Sequence, residues 1–185
     1  MPLLQRDLHE QLRTESTSLH QRVATAARSL DPEQLVRRPS GGGWSVGEVL
    51  EHLCLADENY AKPVATLIHR AHLDAGAPMR EWRPTMLGKF IVSALEKPRP
   101  MKAHRKFRPV SSPRNGVVED FLTRDARLLH RMNESTSLDW QDLRMVPPLL
   151  PVPVLKINLG DVFRIHVVHV RRHLAQIERL VKATG

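Results

Sequence analysis

Leu4, Leu8, Leu12, Leu19, Val23 and Ala27 recur at steps of four and seven residues, which lays one apolar stripe along a helix from about Leu3 to Leu30. Three further segments carry the same period. Glu48 follows Ser45 by three residues, a capping-box pattern in which hydroxyl and carboxylate each satisfy an amide of the first turn. It opens a second helix that can run to about Leu73, with Pro63 expected to kink it for want of an amide donor. A third segment opens near Pro113 and carries Val117, Val118, Phe121, Leu122, Ala126, Leu128, Leu129 and Met132. A fourth begins near Asn158, a candidate N-cap, and continues almost to the C-terminus. None of these helices can bury its stripe alone, and no alternating strand pattern competes with them. The expectation is an all-α four-helix bundle, with residues 1–185 forming a single domain.

The breaks between these segments set the connections. Asp31-Pro32-Glu33 begins a break that Pro39-Ser40-Gly41-Gly42-Gly43 extends as a loop. Between helices two and three, the stretch from Ala77 to Ser111 is longer than ordinary connections and reads as an insertion. It holds a short helix, Met86 to Leu95, and then a basic run from Lys97 to Arg108. Ahead of the last helix, the Pro-rich apolar stretch Val146 to Pro153 reads as an extended connector packed on the bundle.

Charge and composition narrow the function classes. Lys and Arg outnumber Asp and Glu by 28 to 20, a formal charge of +8 that attracts anions of any kind. A nucleic-acid role is disfavoured, because the basic run interleaves only Phe107 as stacking surface and no helix-turn-helix or zinc-finger spacing occurs. No stretch approaches the roughly 18 apolar residues of a membrane span. Arg6, Asp7 and Glu10 interrupt the apolar N-terminal residues where a signal peptide needs an unbroken run, so the expected location is the cytoplasm. Cys54 is the one cysteine, which leaves no internal disulfide and no thiolate cluster. A metal would have to rest on imidazole and carboxylate, and ten histidines are present.

On the last helix, His169 and His173 stand four residues apart, so their imidazoles share one face a turn apart. Val162, Ile165, Ile177 and Leu180 fall on that same face, while Arg164, Arg171 and Glu178 take the outer one. Two imidazoles inside an apolar stripe must find partners, since an unpaired buried polar group costs about 1–3 kcal/mol. One metal ion would satisfy both; so would hydrogen bonds to backbone or carboxylate groups. A third ligand decides, and His52, at the edge of the apolar face of helix two, can supply it. Three protein ligands with a fourth position left to water or substrate is the pattern of catalytic zinc sites.

These residues carry a family resemblance. Trp44-Ser45-Val46-Gly47-Glu48-Val49-Leu50-Glu51-His52-Leu53 resembles the Trp-Ser…Glu…His-Leu opening of helix two in DinB-like (DinB/YfiT) proteins. His169-Val170-Arg171-Arg172-His173-Leu174-Ala175-Gln176-Ile177 resembles that family's closing His-x-x-x-His-x-x-Gln-Ile signature. The resemblance implies an up-down-down-up bundle holding a divalent metal, usually zinc or nickel, on His52, His169 and His173. It implies a homodimer. It also implies, where members have an assigned activity, thiol-dependent S-transfer or isomerisation on a small molecule with a low-molecular-weight thiol as partner. The basic insertion departs from the family pattern and bears on the shape of the pocket.

Beyond the ligands, Glu48 lies one turn before His52 and is the nearest candidate general base, although its capping role already accounts for it. His166, one turn before His169, is a candidate acid/base, supporting residue or spare ligand, with a plain packed histidine as the alternative. Gln176 can accept a hydrogen bond from a ligand imidazole. Cys54 reads as core, and His9, His20, His69, His72, His104 and His130 as solvated. The rival readings are a bundle that keeps its metal without catalysis and, further off, a basic nucleic-acid-binding module. A hydrolase is the alternative chemistry to a transferase.

Overall fold

The computed structural model describes residues 2–97, 102–109, 112–148, 150 and 152–184. Residues 98–101 of the basic run, residues 110–111 at the end of the stretch expected to be an insertion, and Leu149 and Pro151 of the Pro-rich stretch lie outside the described residues. Four long helices build the bundle: α1 (Gln5–Arg28), α3 (Val46–His69), α5 (Val117–Glu134) and α6 (Leu159–Thr184). Two shorter helices accompany them, α2 (Pro32–Val36) and α4 (Met86–Glu96). A two-stranded antiparallel ribbon pairs β1 (Arg144–Met145) with β2 (Ile157–Asn158) just before α6.

Contacts between side chains fix the course of the chain. Glu15 and Arg22 of α1 pair with Arg171 and Glu178 of α6, in the same order, so these helices run parallel. His9, His20 and Arg28 of α1 meet Asn133, Asp125 and Glu119 of α5 in reverse order, so that pair is antiparallel. Glu51, Glu58 and Ala61 of α3 meet Arg114, Arg124 and Arg131 in matching order, which sets α3 and α5 parallel. The course is therefore up-down-down-up. Each long helix touches two neighbours, and the stripe of Leu8, Leu12, Leu19, Val23 and Ala27 is buried with Val49, Leu50 and Leu53 in one core.

The capping expected at Ser45 is present in both directions, Glu48 N to Ser45 Oγ at 3.2 Å and Ser45 N to a Glu48 carboxylate oxygen at 2.9 Å. Pro63 remains inside α3 on its exposed side, and the helix ends at His69 instead of Leu73. The break expected at Asp31 is a short helix. Asp31 Oδ1 accepts the Gln34 amide and Gln34 Oε1 accepts the Asp31 amide, and Pro32 needs no amide partner in the first turn. Asn158 does cap α6, its Oδ1 accepting the Asp161 amide at 2.8 Å.

A close seat joins α4 to the start of α6. The Asp161 carboxylate accepts from Thr85 N at 3.0 Å and Thr85 Oγ1 at 2.7 Å. Gly88 lies directly against it, where a Cβ would come within 2.2 Å of that carboxylate. Trp82 seats equally tightly on Gly160 and donates its indole N–H to Asn158 Oδ1 at 3.1 Å. These contacts anchor the connection that later reaches the histidines.

Candidate metal centre

His52 comes from the second turn of α3, and His169 and His173 from the middle of α6 facing it. Their rings converge, with centroids 5.0 Å apart for His52 and His169, and 4.7 Å for each of the other two pairs. One nitrogen from each lies within 4.8 Å of the others, and the group contains only these three residues among those described. His52 and His173 are buried, at 5% and 8% exposure, while His169 keeps more of its surface.

The hydrogen bonds orient two of the rings. His52 Nδ1 lies 2.6 Å from the Phe107 carbonyl oxygen, which can only accept, so Nδ1 carries the proton and Nε2 the lone pair. That Nε2 faces His169 Nε2 at 3.0 Å. Two lone pairs cannot sit opposed at that distance, so either a proton or a cation lies between them. Nitrogens of a tetrahedral zinc site, with Zn–N of about 2.0–2.1 Å, are about 3.3 Å apart, close to the separation here. Gln176 Oε1 lies 3.1 Å from His173 Nδ1, the contact expected of it, and leaves His173 Nε2 free to face the cluster.

Electrostatics keep the group neutral. Burial pushes the His52 imidazole below its ordinary value, against the Phe107 carbonyl. His169 is driven well below the usual histidine range by burial and by its neighbours His173 and His52. His173 is lowered to about 3 by burial and then by His52, with Gln176 opposing. Three neutral imidazoles facing one point are the donor set a divalent ion needs, and they leave its charge uncompensated. The residues fit such an ion.

The remaining candidates are placed elsewhere. Both Glu48 oxygens are taken by Arg38 and the Ser45 amide, which outweigh burial and hold the carboxyl below its ordinary range. His166 Nε2 lies 2.8 Å from Asp125 Oδ1, on the side of the bundle facing α5. The same carboxylate meets His20 Nδ1 at 2.8 Å through its other oxygen, so His20 is a partly buried partner and not a solvated residue. Asp125 recurs with Phe121, Leu122 and Leu128 in the apolar stripe of α5, and that position was the signal for its burial. Cys54 is fully buried, its thiol pushed up to about 12 by burial. Sequence reasoning missed Phe107, because a backbone carbonyl leaves no mark in residue type. It also missed the packing of Trp44 on His52, with centroids 4.9 Å apart.

An up-down-down-up helical bundle with three converging histidines between two of its helices defines a class of metal-ready bundle. The DinB superfamily profile matches residues 17–177, and the chain belongs to that superfamily. Among solved structures it is similar to YfiT from Bacillus subtilis, described as a probable metal-dependent hydrolase with an unusual four-helix bundle topology. The two share 15% identity with a TM-score of 0.59, over 96% of this chain and 87% of that one. No match to a curated protein was found.

Proposed function

We propose that this protein is a metal-dependent enzyme that holds zinc or nickel on His52, His169 and His173 and transfers the sulfur of a low-molecular-weight thiol to an electrophilic small molecule. The observation that carries the metal is the convergence of three neutral ring nitrogens, two of them 3.0 Å apart, in a buried site. A divalent ion on neutral ligands favours an anionic fourth ligand and lowers the pKa of a bound thiol or water.

The residues around the site favour thiol over water as nucleophile. Hydrolysis calls for a general base beside the water, and Glu48, the candidate one turn before His52, is already committed to Arg38 and the helix cap. A thiol would need less help, since an ion held by His52, His169 and His173 would lower its pKa without a protein base. In the transfer, the thiolate forms the new carbon–sulfur bond, the acceptor's leaving group departs with its electron pair, and the thiol proton passes to solvent. His52 and His173 hold their orientation through Phe107 and Gln176, and Trp44 screens one side of His52. Hydrolysis is the second reading, favoured by the description of YfiT.

Metal-loaded protein is incubated with several cellular thiols and an electrophilic acceptor, alongside an ester or amide panel. Thiol-dependent product formation by wild type and its loss in His169→Ala supports the transferase. Turnover of esters or amides without thiol supports the hydrolase instead. Metal binding with no turnover of either kind leaves a non-catalytic bundle.

A further inference from the structure

We infer that Phe107 is a positioning residue for the metal centre, and that docking of the segment 102–109 and metal binding strengthen each other; this rests on the three-histidine reading. The segment is a compact turn. Phe107 N donates to the His104 carbonyl at 2.9 Å, Lys106 N to His104 Nδ1 at 3.3 Å, and Arg108 Nε to the Ala103 carbonyl at 2.8 Å. Only Phe107 is driven inward, at 5% exposure, while Lys102, His104, Arg105, Lys106 and Arg108 stay exposed. Its ring meets His52 edge-on with centroids 6.4 Å apart, and its carbonyl accepts a hydrogen bond from His52 Nδ1.

That hydrogen bond selects a tautomer. A neutral imidazole has one proton, and the carbonyl keeps it on Nδ1, so the lone pair stands on Nε2 toward His169. A metal on Nε2 requires the same tautomer. Each event therefore favours the other, and by linkage the factor by which docking raises metal affinity equals the factor by which metal favours docking. The opposite end of the connection is tied down as well. Arg172, next to His173, donates to the carbonyls of Leu95 and Lys97 at 2.9 and 2.7 Å where α4 ends. Both described ends of the connection thus attach beside metal-site histidines.

Zinc affinity is measured for wild type, Phe107→Ala and Phe107→Leu, with circular dichroism confirming helix content. Loss of the partner of a ligand imidazole lowers metal affinity about 10-fold or more. The expected result is that loss in Phe107→Ala and near wild-type affinity in Phe107→Leu, whose side chain refills the slot and keeps the carbonyl in place. Independently, trypsin cuts after Arg105 and Lys106 are followed by mass spectrometry in wild-type protein. Saturating zinc is expected to slow those cuts several-fold. Equal zinc affinity in folded Phe107→Ala, or cleavage indifferent to zinc, overturns the proposal and leaves the metal site standing. Failure of wild type to bind zinc overturns both.

Discussion

The Nε2 atoms of His52 and His169 lie 3.0 Å apart although the residues are separated by 117 positions in the chain. The pairing of α3 with α6 in the bundle creates that proximity, and burial then determines its protonation. All three clustered histidines are held below their ordinary pKa, His173 at about 3. Groups lowered on folding stabilise the folded chain above their unfolded value, about 6.5, and lose that contribution as pH falls toward the folded one.

Zinc binding at pH 6 therefore displaces fewer protons than binding to three solvated histidines would. Solvated histidines would be mostly protonated there, and three of them would release about two protons on binding an ion. Calorimetry in buffers of different ionisation enthalpy is expected to show clearly fewer protons released than that. Release of about two protons would show that the cluster opens to water in solution.

The Asp125 carboxylate is buried, which alone would raise it, yet His166 and His20 hold it below its ordinary range. Its contribution to stability is present above about pH 4 and is lost as pH falls through the lowered value. His20 is raised by the hydrogen bond to Asp125, so its share is complete below about pH 6.5 and fades as pH rises through the raised value. Asp125→Asn is expected to lose about 1–3 kcal/mol at pH 5–6, with a smaller loss at pH 8, and the His20 titration followed by NMR moves down. A destabilisation independent of pH would mean that His20 does not titrate against Asp125.

Glu48→Gln separates capping from catalysis. The cap to Ser45 is buried and its weakening costs about 1 kcal/mol, whereas the exposed Arg38 guanidinium adds little. Thermal unfolding is expected to shift down by a few degrees while bound metal stays constant. An unchanged melting temperature with abolished turnover would restore Glu48 as a general base.

Gly88→Ala tests the seat of α4. Its Cβ would stand 2.2 Å from the Asp161 carboxylate, which Thr85 holds with two hydrogen bonds, so the helix must shift. Overpacking of this kind costs about 1–3 kcal/mol, read as a lower melting temperature. Wild-type stability would place α4 elsewhere on the bundle.

Much of this architecture was legible in the sequence because it rests on periodicity and caps. The stripe from Leu4 to Ala27, the Ser45–Glu48 box and the Asn158 cap each announce a helix through side-chain type, and the placement of His169 and His173 among Val162, Ile165 and Ile177 announces a shared buried face. Tertiary events left weaker traces. The ribbon of Arg144–Met145 with Ile157–Asn158 is too short to show alternation. The α2 turn was hidden because Asp31-Pro32 serves loops and helix starts alike. His20 looked solvated because its partner comes from another helix, and the Phe107 carbonyl belongs to the backbone, which every residue shares.

Counting bound metal in untagged protein tests the central claim most directly. Wild type and His169→Ala are dialysed against zinc or nickel, their helix content is compared by circular dichroism, and the ions are counted by atomic emission. Wild type is predicted to hold one divalent ion per chain and His169→Ala to lose it with its helices intact. Equal metal in the two proteins would contradict the site.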